Sequence, residues 1–184
     1  SRKSGRVRIR TELGLKDKDI MLLSVGELNK NKNHESVIRA IKGMDVTYVI
    51  AGKGEKRNSL EQIAKEYGVD LRLVGFRTDV SDFYDAADVY VLPSIREGLN
   101  VSLMEAMASG LSCAVSRIRG NTDLIDDEAV IFDPKNTEQL RESVETAVKN
   151  LEEYGQKNLK KIKGFDLAAV ENLISEIFGG EHLI

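Results

Sequence analysis

The sequence predicts an α/β domain in which one parallel sheet of about six strands carries helices on both faces. Short apolar runs alternate along the chain with segments of helical length, and helical crossovers between strands are typical of parallel sheets. Residues 20–25 (IMLLSV) and 46–51 (VTYVIA) are apolar at successive positions, as expected of strands covered on both faces. Glycine directly follows several of these runs. Together these patterns indicate a single doubly wound, Rossmann-like sheet.

The predicted strands are short apolar runs that end at glycine, proline or a polar residue. They cover residues 20–25, 46–51, 71–74, 89–92, 112–116 and 129–132. The predicted helices show apolar residues at helical spacing. They cover residues 33–41, 55–67, 79–87, 101–109, 137–151, 155–163 and 167–178. Gly68 and Gly110 are expected to end helices, and Thr78 is the expected N-cap of the third helix.

Composition limits the classes of function. The chain has 184 residues, 41% hydrophobic and 31% charged, with a net charge of −3. This charge gives no general attraction to nucleic acid or anionic lipid, so we expect no nucleic-acid partner and only local binding of anions. Cys113 is the single cysteine, which excludes an intrachain disulfide. We expect a buried thiol and a cytoplasmic, reducing compartment.

The ends of the chain carry separate expectations. Residues 1–18 form a basic lead-in, with five Arg or Lys among the first ten residues, that enters a helical pattern near Thr11. No apolar region follows, so the segment is not a signal peptide, and no run approaches the ~20 residues of a membrane span. Residues 155–184 form a helical tail. We see no linker, and we expect residues 1–184 to be one domain cut from a longer protein.

Ligands of open parallel sheets bind beyond the carboxyl ends of the strands. Five loops are expected there, and each contains a glycine. They are 26–32, 52–55, 75–78, 93–100 and 117–121. Glycine permits positive φ and close approach of a ligand to the backbone. The alternative is that each glycine serves only its turn.

Two carboxylates stand out in the segment 93–110, PSIREGLNVSLMEAMASG. Glu97 precedes a helix and Glu105 lies inside it. The rest of that helix is apolar or small, so it looks covered on most faces and a carboxylate there needs partners. Vicinal ribose hydroxyls are one such partner, and the helix N-terminus near Asn100 and Val101 suits a diphosphate. Alternatively, Glu105 faces solvent and Glu97 is a loop charge.

Basic residues of the first loop, Lys30 and Lys32, are placed to reach a phosphate above the sheet and to stabilise a charged leaving group. Alternatively, both are solvated lysines of a surface loop without a ligand. The sequence lacks a P-loop and a dinucleotide fingerprint, and no Asp-x-Asp pair follows a strand. His34 and His182 are too scattered for a metal site, and His34 is expected to be a surface or capping residue. No Ser–His–Asp or Cys–His set is present.

The segment EGLNVSLMEAMASG, preceded by DVYVLPS, resembles the signature of the retaining glycosyltransferases of family 4, the group 1 enzymes of GT-B fold. Their E-x7-E motif is matched by Glu97 and Glu105. The resemblance extends from SVGELNKNKNH through VIAGKGE and LVGFRTDV to IRGNTDLID, and so covers about residues 20–135. Such a series of motifs in order is more specific than the E-x7-E motif alone.

The resemblance implies roles for these residues. Glu105 would hold the donor ribose, Glu97 would contact the transferred sugar, and Lys32 would neutralise the leaving diphosphate. The backbone of one loop would meet the diphosphate and sugar at Gly98, Leu99, Asn100 and Val101. Other loops would border the donor and its base at Gly26, Gly75, Phe76 and Arg77.

The resemblance also implies partners. The donor is a nucleotide-diphosphate sugar, bound without a metal or other cofactor. The acceptor, a sugar or lipid-linked glycan, would bind an N-terminal domain that this chain lacks. The full-length enzyme would work in polysaccharide or glycoconjugate synthesis in the cytoplasm, with peripheral association at the membrane face. We expect the isolated chain to bind nucleotide weakly and to turn over little.

One departure from the family pattern affects the charge of the site. Many members have Gly-Arg after the first strand, whereas this chain has Gly26-Glu27. Lys30, Arg117 and Arg119 are candidate substitutes for the missing cation. Glu27 also supports an alternative function as a non-catalytic nucleotide-binding or regulatory module. A sugar-nucleotide epimerase of the same fold is a third hypothesis.

Overall fold

The structure, a computed structural model, describes residues 2–165 of the chain. Its strands are β1 (Ile20–Val25), β2 (Val46–Ala51), β3 (Asp70–Gly75), β4 (Val89–Leu92), β5 (Ser112–Ser116) and β6 (Ile131–Phe132). Its helices are α1 (Arg2–Glu12), α2 (His34–Ala40), α3 (Arg57–Tyr67), α4 (Val80–Ala86), α5 (Val101–Ala108), α6 (Arg119–Thr122), α7 (Thr137–Lys149) and α8 (Leu151–Ile162). The predicted helix 167–178 and His182 lie outside the described residues.

The described strands form one parallel sheet in the order β3-β2-β1-β4-β5-β6. Helices α2, α3 and α7 pack together in one layer, and α1 with α4 and α5 with α8 form pairs in the other. The order reverses between β1 and β4, where the connections leave for opposite faces. The predicted doubly wound α/β sheet is therefore confirmed, and the predicted bounds of β1, β2, β4 and β5 match the structure.

The core lies on the central strands. Strand β4 and strand β5 are buried at every residue, and β1 and β2 at every residue except the first, whereas edge strand β3 is partly exposed. Burying one Leu or Ile side chain stabilises a fold by roughly 1.5–3 kcal/mol, so these strands fix the sheet. Cys113 of β5 is buried as expected, and burial raises the pKa of its thiol.

Several predicted boundaries are wrong. The segment 129–132 is a strand only at β6, because a 3-10 turn at Glu128–Val130, capped by the Asp127 carboxylate, precedes it. Thr78 is not the N-cap of α4; that position is Asp79, whose carboxylate binds arginines instead of capping the helix. The short helix α6 begins inside the predicted loop 117–121 and ends at Thr122.

Helices α7 and α8 meet at Asn150, not in the predicted gap between residues 151 and 155. Gly155 lies inside α8 and is buried. A Cβ at Gly155 would lie 2.4 Å from the Gly110 carbonyl oxygen. Glycine at this position therefore permits close packing of α8, and the helix begins four residues before it, not at Gly155 as predicted.

The basic lead-in contains helix α1, and Arg6, Arg8 and Arg10 of this helix pair with groups of the domain. Arg10 is 3% exposed and donates to the Ala86 carbonyl oxygen at 2.7 Å. Arg8 pairs with Asp79 and Asp82 at 2.5 Å. The helix is thus tied to α4 by ion pairs and hydrogen bonds and is an integral part of the fold.

Among residues 2–165, no helix combines the length and the apolar character that crossing a bilayer requires.

Candidate functional site

Tight contacts between neighbouring loops shape the carboxyl edge of the sheet. The Gly52 N–H donates to the Gly75 carbonyl oxygen at 2.8 Å. A Cβ at Gly52 would lie 1.8 Å from the Gly26 carbonyl oxygen, and one at Gly54 would lie 2.5 Å from the Leu28 carbonyl oxygen. Packing of one loop on the next is therefore a reason for glycine here, beside turn geometry and close approach of a ligand.

Lys32 and Glu97 come together where the strand order reverses. Lys32 follows β1 and Glu97 follows β4, and these strands are neighbours in the sheet. The Lys32 Nζ donates to Glu97 Oε1 at 2.7 Å, and the Ser94 hydroxyl donates to the same oxygen at 2.5 Å. The Lys32 and Glu97 side chains are 21% and 13% exposed. A cation and a carboxylate thus meet, partly buried, at the edge where parallel sheets bind ligands.

A chain of buried polar groups supports Ser94 from below; we call it the polar brace, and it consists of Ser94, Ser116, Asn121 and Asn100. The Ser116 hydroxyl donates to the Ser94 carbonyl oxygen at 2.6 Å, and Asn121 Nδ2 donates to the Ser116 carbonyl oxygen at 3.0 Å. Asn100 Nδ2 donates to Asn121 Oδ1. All four residues are at most 4% exposed. The brace therefore joins the ends of β4 and β5 to the start of α5.

The loop before Glu97 is also clamped from the other side by Asn31. The Asn31 carbonyl oxygen accepts from the Ile95 N–H at 2.9 Å. Its amide exchanges two further hydrogen bonds with the backbone of Arg96, at 2.8 and 3.1 Å. The loops after β1 and β4 are thus fixed to each other through backbone groups as well as through the ion pair.

Helix α5 begins at this edge, as predicted, with a partly exposed start. Gly98 and Leu99 are exposed, while Asn100 is buried and its side-chain amide donates to Asn121 of the polar brace. No side chain of the described residues caps the helix. The Val101 N–H donates to the Leu99 carbonyl oxygen at 3.2 Å, so one of the N–H groups expected to meet a diphosphate already has a partner. The positive end of the helix dipole still faces this edge.

Glu105 is exposed, so the alternative that it faces solvent is confirmed, while the rest of α5 is mostly covered as expected. The buried residues of α5 are Leu103, Met104, Ala106 and Met107, which leaves Glu105 on the open side of the helix. The Tyr84 hydroxyl donates to Glu105 Oε2 at 2.9 Å, and burial raises the pKa of that phenol. The Glu105 carboxylate is therefore oriented by a neutral tyrosine that remains a donor at physiological pH.

In the loop after β3, the side chains of Phe76 and Arg77 have different surroundings. Phe76 is 52% exposed, and the Lys53 Nζ lies 5.9 Å from the centre of its ring. Arg77 instead pairs with Asp79 and Glu12, both at 2.8 Å, which raises the pKa of its guanidinium. Phe76 is available to a flat ligand such as a base. Arg77 fixes the loop to α1, and its predicted contact with the donor stays a prediction.

The candidate substitutes for the missing cation differ in their surroundings. The Glu27 carboxylate is exposed and accepts from Asn29 Nδ2 at 2.8 Å. Lys30 is exposed on the same loop. Arg117 is paired with Glu128.

Arg119 is exposed on α6 beside the loop that carries Glu97. A Cβ at the next residue, Gly120, would lie 2.8 Å from the Gly98 carbonyl oxygen. Arg119 therefore lies on a segment whose backbone packs against the loop before α5.

His34 is not the expected surface or capping residue. It is 3% exposed, its Nε2 lies 3.1 Å from the Glu27 carbonyl oxygen, and its Nδ1 lies 3.0 Å from the Tyr48 hydroxyl. A carbonyl oxygen only accepts, so Nε2 carries the proton of the neutral ring and Nδ1 accepts from Tyr48. Burial lowers the pKa of His34 to about 4. The neutral ring therefore supports the loop that carries Lys32 through its contact with the Glu27 carbonyl oxygen.

Several residues of the site were missed in the sequence. Ser94, Ser116, Asn121 and Tyr84 carry the hydrogen bonds that hold the two glutamates and the start of α5. The position of Ser94 directly after Pro93, at the end of a buried strand, was the one signal available. Ser and Asn are usually exposed, so their burial here could not be read from residue type.

No group of three or more His, Cys, Asp or Glu side chains within residues 2–165 is arranged to hold a metal ion. The absence of a metal requirement stays a prediction.

Comparison with known proteins relates the chain to sugar transferases. The sequence profile of the family described as "Glycosyl transferases group 1" matches residues 6–162. The UDP-Gal:alpha-D-GlcNAc-diphosphoundecaprenol alpha-1,3-galactosyltransferase of Escherichia coli is 36% identical over 126 residues, which cover 63% of this chain and 33% of that protein.

Solved structures share the fold. WaaG, a glycosyltransferase involved in lipopolysaccharide biosynthesis, superposes with a TM-score of 0.80 at 24% identity, over 96% of this chain and 51% of that one. Anabaena HepE in complex with UDP-glucose superposes with a TM-score of 0.81 at 19% identity, over 97% of this chain and 53% of that one. This chain therefore spans between a third and about half the length of these three proteins.

Proposed function

The chain belongs to the group 1 glycosyltransferases, and from that premise we propose that it is the C-terminal, donor-binding domain of a retaining family 4 enzyme of GT-B architecture. Its ligand would be a nucleotide-diphosphate sugar. The observation that carries the proposal is the 2.7 Å contact between Lys32 Nζ and Glu97 Oε1 at the edge where β1 and β4 diverge. This contact puts a cation for a leaving diphosphate beside a carboxylate for the sugar.

Each part of the donor has a partner in this proposal. Lys32 and the start of α5 stabilise negative charge on the diphosphate as the bond to the anomeric carbon breaks. Glu97 accepts from a sugar hydroxyl, and Glu105, oriented by Tyr84, accepts from the ribose hydroxyls. The exposed ring of Phe76 borders the base. The domain thus contributes positioning and charge stabilisation, and the acceptor hydroxyl oxygen bonds the same carbon with retention while its proton passes to the departing diphosphate.

The acceptor belongs to the part of the enzyme that this chain does not span. The chain covers 33% of the E. coli relative, whose name specifies a diphosphoundecaprenol-linked acceptor. We therefore propose that a sugar or lipid-linked glycan binds an N-terminal domain, and that the full-length enzyme makes polysaccharide or glycoconjugate at the cytoplasmic face of a membrane.

Titration calorimetry of the 184-residue chain with UDP, GDP and ADP tests the donor site. We expect one nucleotide to bind, with and without EDTA. Glu105→Ala should weaken it about 10- to 100-fold, since a hydrogen bond to a charged group contributes roughly 1.5–3 kcal/mol.

Glu66→Ala is the matched control, because Glu66 is exposed near the end of α3, at the opposite edge of the sheet. It should bind as the unaltered chain does. Equal affinities of the Glu105→Ala and Glu66→Ala variants would remove Glu105 from the site.

A non-catalytic nucleotide-binding module is the second candidate function. It is favoured by Glu27, which places an exposed carboxylate where the family pattern that the sequence resembles has arginine. A full-length protein that binds nucleotide sugar but transfers none to any glycan acceptor would support it. Product formed from the nucleotide sugar without an acceptor would point instead to an epimerase.

A further inference from the structure

We propose that Ser94 is a positioning residue that holds Glu97 in place while Lys32 turns from Glu97 to the diphosphate of the donor. The proposal rests on the donor site described above and adds to it a residue with no contact to the donor.

Both hydrogen bonds to the Glu97 carboxylate meet on one oxygen. Oε1 accepts from Lys32 Nζ at 2.7 Å and from the Ser94 hydroxyl at 2.5 Å. Within residues 2–165, Oε2 accepts no hydrogen bond. Oε2 is therefore the atom that would receive a sugar hydroxyl, and the bonds to Oε1 set the direction in which it points.

The two donors to Oε1 differ in mobility. Lys32 reaches Glu97 with a long side chain that is 21% exposed. Ser94 is 0% exposed, has a short side chain, and lies directly after β4. The Ser116 hydroxyl holds its carbonyl oxygen at 2.6 Å as part of the polar brace. The long lysine side chain can move at small cost, whereas the backbone of Ser94 cannot shift without breaking a buried hydrogen bond.

Donor binding makes this difference matter. A diphosphate attracts the Lys32 ammonium and competes directly with Glu97 for it. Glu97, 13% exposed, then loses one of its two hydrogen bonds. The remaining bond from Ser94 keeps the carboxylate from rotating, so that Oε2 stays directed at the sugar. Without the hydroxyl, the nucleotide would still bind, but the sugar would add less affinity.

The test compares each nucleotide diphosphate with its sugar conjugates. Titration calorimetry of the unaltered chain with UDP, GDP and ADP, and with their glucose, galactose and mannose forms, gives the factor by which the sugar tightens binding. Ser94→Ala should reduce this factor about tenfold while changing affinity for the bare diphosphate less than about twofold, as one lost hydrogen bond implies. Ser94→Thr keeps the hydroxyl and should restore the factor.

Ser112→Ala is the matched control. Ser112 is 1% exposed, lies at the other end of β5, and donates one hydrogen bond to the Ala147 carbonyl oxygen at 3.0 Å. Its loss should lower the melting temperature about as much as the loss of the Ser94 hydroxyl and leave the sugar factor unchanged.

Three results would overturn the proposal. The first is a Ser94→Ala variant that keeps the full sugar factor. The second is an unaltered chain for which the sugar adds no affinity, which would remove Glu97 from the sugar while leaving the nucleotide site intact. The third is a chain that binds no nucleotide at all, which would overturn the proposed function as well.

Discussion

Lys32 reaches Glu97 by crossing directly over Gly26. A Cβ at Gly26 would lie 3.1 Å from Lys32 Cε, and the residue has φ +147°. Glycine here therefore serves the path of a side chain as well as the backbone.

Gly26→Ala should displace Lys32 and weaken nucleotide-diphosphate binding about tenfold, with a loss of roughly 1–2 kcal/mol in unfolding free energy from the strained backbone. Calorimetry and urea denaturation measure the two effects. Gly43→Ala is the matched control, because Gly43 has φ +76° with nothing within 4 Å of an added Cβ. It should lose stability but not affinity, and an equal loss of affinity in both variants would contradict this role of Gly26.

His34 makes the stability of the fold depend on pH. Burial lowers its pKa to about 4 from an ordinary value of 6.5, so between these values the unfolded chain binds a proton that the folded chain does not. Its contribution to stability is complete above pH ~6.5, falls as the pH drops from ~6.5 to ~4, and changes no further below that. The loss amounts to about 3 kcal/mol.

The measurement is the free energy of unfolding against pH for the unaltered chain and for His34→Gln. The difference between the two curves should change by about 3 kcal/mol across this window, since all other titrating groups are shared. Parallel curves would show that His34 binds its proton equally well in the folded and unfolded chain.

At the residue scale, apolar positions were predictable and polar pairings were not. The residues 89–92 mark a strand because four successive apolar residues have no other stable place than a core. Ser94 and Asn121 look the same in sequence whether they lie in water or in a buried brace. Glu97 and Glu105 were found by their motif, but the exposure of Glu105 depends on which side of α5 packs against the sheet.

Helix α8 shows how tertiary contact overrides the local preference of an element. Gly155 lies in its interior, where alanine would ordinarily stabilise a helix by about 1 kcal/mol. Because an added Cβ would lie 2.4 Å from the Gly110 carbonyl oxygen, the packing of α8 beside β5 requires glycine. In the sequence, a helix was predicted to begin at this glycine, since propensity carries no information about a neighbouring backbone.

Gly155→Ala should therefore destabilise the domain by roughly 1–3 kcal/mol, the cost of an overpacked contact. Gln156→Ala, at the adjacent exposed position of the same helix, should change the unfolding free energy little. Urea denaturation of the two variants distinguishes the effects. A Gly155→Ala variant that is more stable than the unaltered chain would show that α8 can shift away from Gly110.

At the scale of the whole molecule, the doubly wound parallel class of the sheet was predictable. Helix-length crossovers between buried strands leave few possible topologies. The association of α1 with α4 was not predictable, because it depends on ion pairs between Arg8 and two aspartates some seventy residues away. In the sequence, the same arginines form only a basic lead-in.

We expect the 184-residue chain alone to bind nucleotide but to transfer little sugar, because the proposed acceptor site lies in the remainder of the enzyme. The measurement is product formation from a nucleotide sugar and a lipid-linked glycan, by the chain alone and by the full-length protein. Transfer by the chain alone at the rate of the full-length protein would place both substrates on this domain.

The pairing of Lys32 with Glu97 also bears on which anions the site admits. An arriving anion meets a closed ion pair with no net charge and not a bare ammonium, so long-range attraction contributes little to the encounter. Binding becomes an exchange in which the ligand replaces Glu97 as the partner of Lys32 and must compensate for the ion pair that Glu97 loses. Inorganic phosphate, with no sugar to satisfy Glu97 and no ribose for Glu105, would compensate poorly, and the domain would discriminate against the most abundant competing anions before any chemistry begins.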